Sequence, residues 1–213
     1  RLALRAQLNW QQTTLLRAAY RYLKQIRFRY SQDYVIDTLA GNPHMAQRIV
    51  RLFEARFDPD LHDDRTVKVD GIRADINQGL ERVTNLDEDR ILSAYVNLIE
   101  SMLRTSYFQQ HDQQQPERLS FKIDGGAINR MPRPRPMVEI FVFSARVEAV
   151  HLRGGLVARG GLRWSDRPED FRTEVLGLVK AQIVKNAVIV PVGSKGGFIV
   201  RRLVQYTPEE RPA

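Results

Sequence analysis

Three short runs between residues 159 and 197 carry groups that could bind or activate an anion. The first is Arg159-Gly160-Gly161-Leu162-Arg163-Trp164. A cation followed by two glycines exposes backbone N–H groups with no side chain in the way, which suits a carboxylate or a phosphate. Taken alone, a tight turn beside a cationic residue accounts for it better. The second is Gln182 with Lys185 and Asn186. A spacing of three puts the amide and the ammonium on one helix face, within reach of the same ligand. A solvated polar stripe is the blander reading, but Lys185 lies among Ile183, Val184, Ala187 and Val188, where an unpaired lysine is costly. The third is Gly193-Ser194-Lys195-Gly196-Gly197, directly after Val188-Ile189-Val190-Pro191-Val192. A lysine at the end of a buried strand, set between small residues, occupies a usual active-site position in α/β proteins. A P-loop is excluded, because Gly196 follows the lysine where Ser or Thr is required.

Other chemistries fail. The sequence holds no cysteine, which removes disulfides, thiolate nucleophiles and cysteine-based metal sites. His44, His62, His111 and His151 show no metal-ligand spacing, so no metal is expected. Asp166, Glu169 and Asp170 read as helix-start carboxylates. Neither a nucleophile elbow nor a G-x-G-x-x-G dinucleotide fingerprint occurs.

The formal net charge of +8 is lopsided: 16 Lys+Arg face 15 Asp+Glu up to residue 115, but 17 face 10 beyond it. A positive field confined to one region suggests an anionic partner. A non-catalytic module for anions or nucleic acid is therefore the alternative to an enzyme. Aromatic residues for base stacking are sparse near the cations (Trp164, Phe171, Phe198), so no nucleic acid is expected. No apolar run reaches the ~20 residues that span a bilayer, so no membrane is expected either.

The elements that must position these groups change character along the chain. Leu15, Leu16, Ala19, Leu23 and Ile26 recur at helical spacing, as do Val69, Ile72, Ile76, Leu80 and Val83. Asn42-Pro43 should cap and open a helix carrying Met45, Ile49, Leu52 and Phe53. Asn85 with Glu88 is a capping-box variant ahead of Ile91, Tyr95, Ile99 and Met102. Residues 1–108 are thus expected to be a helical region with no chemistry, and 109–118 a polar linker. In residues 119–213 the texture turns β-rich: strands at Phe121–Asp124, Val138–Phe143 and Val147–Leu152. A helix capped by Ser165 or Asp166 then runs to about Asn186, followed by a strand from Ala187 to Val192 and a glycine loop carrying Lys195. The expected fold is a mostly α-helical region preceding a partial α/β domain.

Together the three runs resemble the glutamate dehydrogenase family. Arg159-Gly160-Gly161-Leu162-Arg163-Trp164 is similar to its Lys-Gly-Gly-Ile-Arg-Tyr stretch, and Gln182-x-x-Lys185-Asn186 to its Gln-x-x-Lys-Asn/Cys helix end. Val190-Pro191-Val192-Gly193-Ser194-Lys195-Gly196-Gly197 is similar to its Pro-hydrophobic-Gly-Gly-Ala-Lys-Gly-Gly loop. The longer run from Arg159 to Val175 resembles the large multi-domain bacterial NAD-dependent form, and an upstream helical region agrees. The resemblance implies a fragment of an amino-acid dehydrogenase, severed within its substrate-binding domain and inactive alone. Lys195 would be catalytic, activating the water that attacks an iminium. Gln182 and Lys185 would hold a substrate carboxylate, with Arg159 in place of the family's lysine and Gly160 and Gly161 as backbone donors. The substrate would be a small dicarboxylate, glutamate or 2-oxoglutarate. The cofactor would be NAD, bound by a domain beyond this sequence. A cytoplasmic homo-oligomer is expected.

Overall fold

Apolar stripes at helical spacing fold the first half of the chain. The computed structural model describes residues 2–62, 64–109, 118–157, 159–185 and 193–201. Helices α1 (Leu2–Arg5), α2 (Trp10–Gln25), α3 (Gln32–Gly41), α4 (Pro43–Phe57), α5 (Arg65–Leu80) and α6 (Leu86–Ser101) come first. Three expected stripes are core faces: Leu15, Leu16, Ala19 and Leu23 on α2, Ile49, Leu52 and Phe53 on α4, and Ile91, Tyr95 and Ile99 on α6 are all buried. On the fourth only Val69 and Ile76 are buried, with Ile72, Leu80 and Val83 half-buried. Residues 1–102 form one compact unit together with 127–129, and the remainder forms a second.

Two caps differ from expectation. Asn42 precedes Pro43 as the helix-start reading requires, yet its side chain does not cap α4. Its Nδ2 instead donates to the Thr38 carbonyl at 3.0 Å and to Glu88 Oε2 at 2.9 Å. Asn85 does cap α6, accepting from the Asp87 and Glu88 N–H groups. Glu88 is drawn to Asn42, so the return arm of the expected box is spent elsewhere. Met102 leaves the helical stripe and begins strand β1 (Met102–Thr105), still fully buried.

The second unit is a mixed six-stranded sheet with a helix on it. Strands β2 (Arg118–Asp124), β3 (Val138–Ser144) and β4 (Val147–Arg153) are followed by β5 (Leu162–Trp164), α7 (Phe171–Lys185) and β6 (Ser194–Val200). The spatial order is β1-β2-β3-β4-β6-β5. The pairings β2–β3, β3–β4 and β4–β6 are antiparallel, and β5–β6 is parallel. A parallel neighbour needs a crossover, and α7 supplies it. Alternation is strict on β2 and β4 and holds on β3 up to Phe143, so one face is core and the other half-exposed. The registers align core rows across strands: Phe121, Phe141, Val150 and Gly197 in one, Ile123, Glu139, Leu152 and Lys195 in the next.

Helix α7 starts later than expected. Thr173 and Glu174 donate back to the Asp170 carbonyl at 2.8 and 3.2 Å, so the chain turns into the helix at Asp170. The Ser165 hydroxyl is engaged instead with Glu174 Oε2, at 2.6 Å, and accepts from the Arg167 N–H at 3.2 Å. The expected strand 187–192 and residues 110–117 of the expected linker 109–118 lie outside the described residues, and Arg118 already belongs to β2.

Candidate functional site

Parity along β6 decides where the lysine points. Residues 193, 195 and 197 share one face of the strand, and that face carries α7. A Cβ placed on Gly197 would meet Val175 Cγ2 at 2.5 Å, and one on Gly193 would meet Gln182 Nε2 at 2.7 Å. The two glycines therefore let α7 lie directly on the strand, with Val175 over one end and Gln182 over the other. Lys195 stands between them on the same face, half-buried. Its ammonium has no hydrogen bond or ion pair among the described residues.

This corrects the expectation that Gly193–Gly197 is a loop after a strand. From Ser194 onward the run is itself strand, paired with both β4 and β5. The Ser194 N–H donates to the Arg159 carbonyl at 2.9 Å and the Gly196 N–H to the Gly161 carbonyl at 3.0 Å. Those donors are committed to the sheet and cannot cradle an anion. The run looked like a loop because glycine is depleted in strands. Here the close approach of neighbouring backbone and helix requires residues without side chains.

The three runs meet at one end of β6. Arg159-Gly160-Gly161 lies against Gly193-Ser194, so that a Cβ on Gly160 would overlap the Ser194 carbonyl oxygen, and one on Gly193 the Arg159 carbonyl oxygen. Gly161 is different, since open space surrounds the position its Cβ would take. The Arg159 side chain is exposed and unpaired among the described residues, whereas Arg163 engages Glu174 at 3.4 Å. Lys185 is the last residue of α7; the carboxylate contact expected of its side chain lies outside what is described. The Arg159–Gly160 backbone, the Gln182 amide and the strand position of Lys195 thus come together about a glycine-lined junction. Such a set can hold a carboxylate and present a lysine amine beside it.

Sequence reasoning passed over two residues of the same unit. Arg172 and Glu139 are both fully buried and joined by two charge-assisted hydrogen bonds: Arg172 Nε donates to Glu139 Oε2 at 3.0 Å, and Nη2 to Oε1. The signal was present. Arg172 falls between Phe171 and Val175 on an apolar helix face, and Glu139 occupies an inward position of an alternating strand. Among the described residues no group of three His, Cys, Asp or Glu could hold a metal ion.

On the opposite face of the sheet, His151 and Arg153 of β4 stand across from Gly196 and Ser194. Burial, and next the Arg153 guanidinium, push the His151 imidazole below its ordinary range. Unfolding restores the ordinary value, so between the two values the unfolded chain binds more protons. The stability this contributes is full above about pH 6.5 and is lost as the pH falls below it. Urea midpoints between about pH 5 and 8 should show that slope, and His151→Gln should flatten it. An unchanged slope in the variant would exclude the assignment.

Comparison with known proteins covers almost the whole chain. The family described as bacterial NAD-glutamate dehydrogenase, catalytic domain, matches residues 75–212. Glutamate dehydrogenase, helical motif 3, matches residues 1–59. An NAD-specific glutamate dehydrogenase of Halomonas elongata is 50% identical over 99% of the chain. That of Pseudomonas aeruginosa is 53% identical over 95%, and that of Mycobacterium tuberculosis 50% identical over 94%. The chain spans 13% of the length of each of these relatives.

Proposed function

This chain belongs to the bacterial NAD-glutamate dehydrogenase family, and on that premise we propose that it supplies the substrate side of oxidative deamination of L-glutamate to 2-oxoglutarate and ammonia. The observation that carries the reading is the convergence of Arg159, Gly160, Gln182 and Lys195 at the start of β6, with Lys195 unpaired among the described residues. A dicarboxylate needs two separated cationic or amide contacts, and charge-assisted hydrogen bonds of this kind are the strong ones. Gln182 and Arg159 are assigned to carboxylate binding, together with Lys185 and the Gly160 and Gly161 backbone. Lys195 is assigned the proton transfers: its side-chain nitrogen accepts a proton from the water attacking the iminium carbon, and then returns it to the departing amine.

The chemistry that NAD would supply is acceptance of a hydride. Residues of this site do not suit its pyrophosphate. The turn entering α7 carries Asp166 and Glu169 together with the ion-paired Asp170 and Glu174, a carboxylate-rich helix start that does not favour an anion. NAD binding is therefore assigned to another part of the full-length protein.

The rival anion- or nucleic-acid-binding module is disfavoured by how the basic residues are used. Arg163, Arg167, Arg172 and Arg201 are paired with Glu174, Asp170, Glu139 and Glu148. These four cations are committed to ion pairs within the unit and are not free for a phosphate backbone. No described helix is long and apolar enough to cross a membrane. Cytoplasmic location and assembly as a homo-oligomer accompany the proposal, and sedimentation of the full-length protein tests the second.

Gln182→Ala in the full-length enzyme tests the substrate assignment. A hydrogen bond to a charged group is worth about 1.5–3 kcal/mol, so the KM for glutamate should rise by roughly tenfold or more. The KM for NAD should not move. Equal changes in both would remove Gln182 from the substrate site.

A further inference from the structure

The Glu139–Arg172 pair has no part in the chemistry just assigned, yet it is the most deeply buried ionic contact described. Both side chains are wholly inaccessible. The guanidinium meets the carboxylate as a two-pronged fork, and its Nη2 also lies 2.9 Å from Met131 Sδ. Burying such a pair brings little stability. The desolvation penalty offsets the attraction, and apolar residues of similar volume often do as well or better. What a fork provides, and apolar packing does not, is direction.

Its place in the fold gives that direction a use. Glu139 stands in the row Ile123, Glu139, Leu152, Lys195, two strands from the lysine, which is ~10 Å at the usual strand spacing. Arg172 lies in the first turn of α7, and Gln182 follows ten residues on, ~15 Å along the helix axis. The helix also buries Phe171, Leu176 and Val179, and it rests on β6 through Val175 at Gly197 and Gln182 at Gly193. A methyl group on a bare backbone resists approach but not sliding or rolling. The fork at the helix start restrains both.

We infer that the buried Glu139–Arg172 pair is a positioning device that sets the slide and roll of α7 over β6, so that Gln182 is delivered to the junction beside Lys195. The inference rests on the substrate-site reading above. Neither residue touches substrate. They act through α7.

The test uses the full-length enzyme with Glu139→Leu and Arg172→Met combined, a pair of similar volume and no charge. Thermal unfolding should stay at or above the wild-type midpoint. The kcat/KM for glutamate should fall by roughly tenfold to a hundredfold, the scale of a misplacement near 1 Å, with the KM for NAD unchanged. A stable double variant with wild-type kcat/KM overturns the inference, because packing alone would then suffice. Arg172→Lys is the second variant, keeping the charge and losing the fork. It should show the same kinetic loss in smaller measure, and wild-type kinetics there also overturns the idea. Lys195→Ala, assayed alongside, separates the two levels. If it retains turnover, the site reading itself fails. If it is inactive while the uncharged pair works normally, only the positioning role fails.

Discussion

Turnover by the full-length enzyme is expected to fall about 10³-fold when Lys195 is replaced by alanine, within the range that general acid–base groups contribute. The position supports so large an effect. Lys195 projects onto the α7 face between Gly193 and Gly197, and no described carboxylate neutralises it. A structural lysine held half-buried under a helix would normally be paired, since an unpaired buried cation is costly. Lys195→Arg sharpens the test. The guanidinium keeps the charge but stays protonated at any working pH, so it cannot shuttle a proton. Steady-state kcat for both variants should be similarly low if Lys195 transfers protons. An arginine variant with most of its turnover would reduce the residue to an electrostatic anchor.

Local pattern made much of this fold legible. The stripes of α2, α4 and α6 repeat within single helices, and burial follows such a repeat whatever lies around it. Strands β2, β3 and β4 were equally readable from alternation. The failures occurred where one residue had two possible partners. Asn42 could cap α4 or bridge to Glu88, and Ser165 could cap α7 or bind Glu174; only the tertiary arrangement decides between them. The glycine-lysine run shows this most clearly. Its composition marks it as functional but also as a loop, because glycine weakens isolated strands. That it is strand follows from neighbours on three sides: β4, β5 and α7. The direction in which Lys195 points depends on register, and one residue of slip would turn it to the opposite face. Arg172 and Glu139 were visible as charges in apolar positions, but their pairing joins residues 33 apart in the chain.

A second large effect is expected at Gly160, and it concerns backbone. A Cβ there would overlap the Ser194 carbonyl oxygen, and neither partner is a side chain that could rotate away. Relief requires the seam between Arg159–Gly161 and Ser194–Gly196 to open. That strains the Ser194 N–H bond to the Arg159 carbonyl and shifts the residue next to Lys195. Overpacking of this kind costs about 1–3 kcal/mol, occasionally more. Gly160→Ala should therefore lower the thermal midpoint of the second unit. It should also reduce kcat/KM for glutamate by about 10²-fold, the penalty for a shift near 1 Å in a catalytic group. Gly161→Ala is the control for stability alone: no protein atom meets its Cβ, so its thermal midpoint should stay at the wild-type value. The adjacent glycines look alike in sequence but carry opposite steric demands. Equal tolerance of both alanines would mean that the seam yields at little cost, and the close apposition of Gly160 with Ser194 would then not be what holds Lys195 in place.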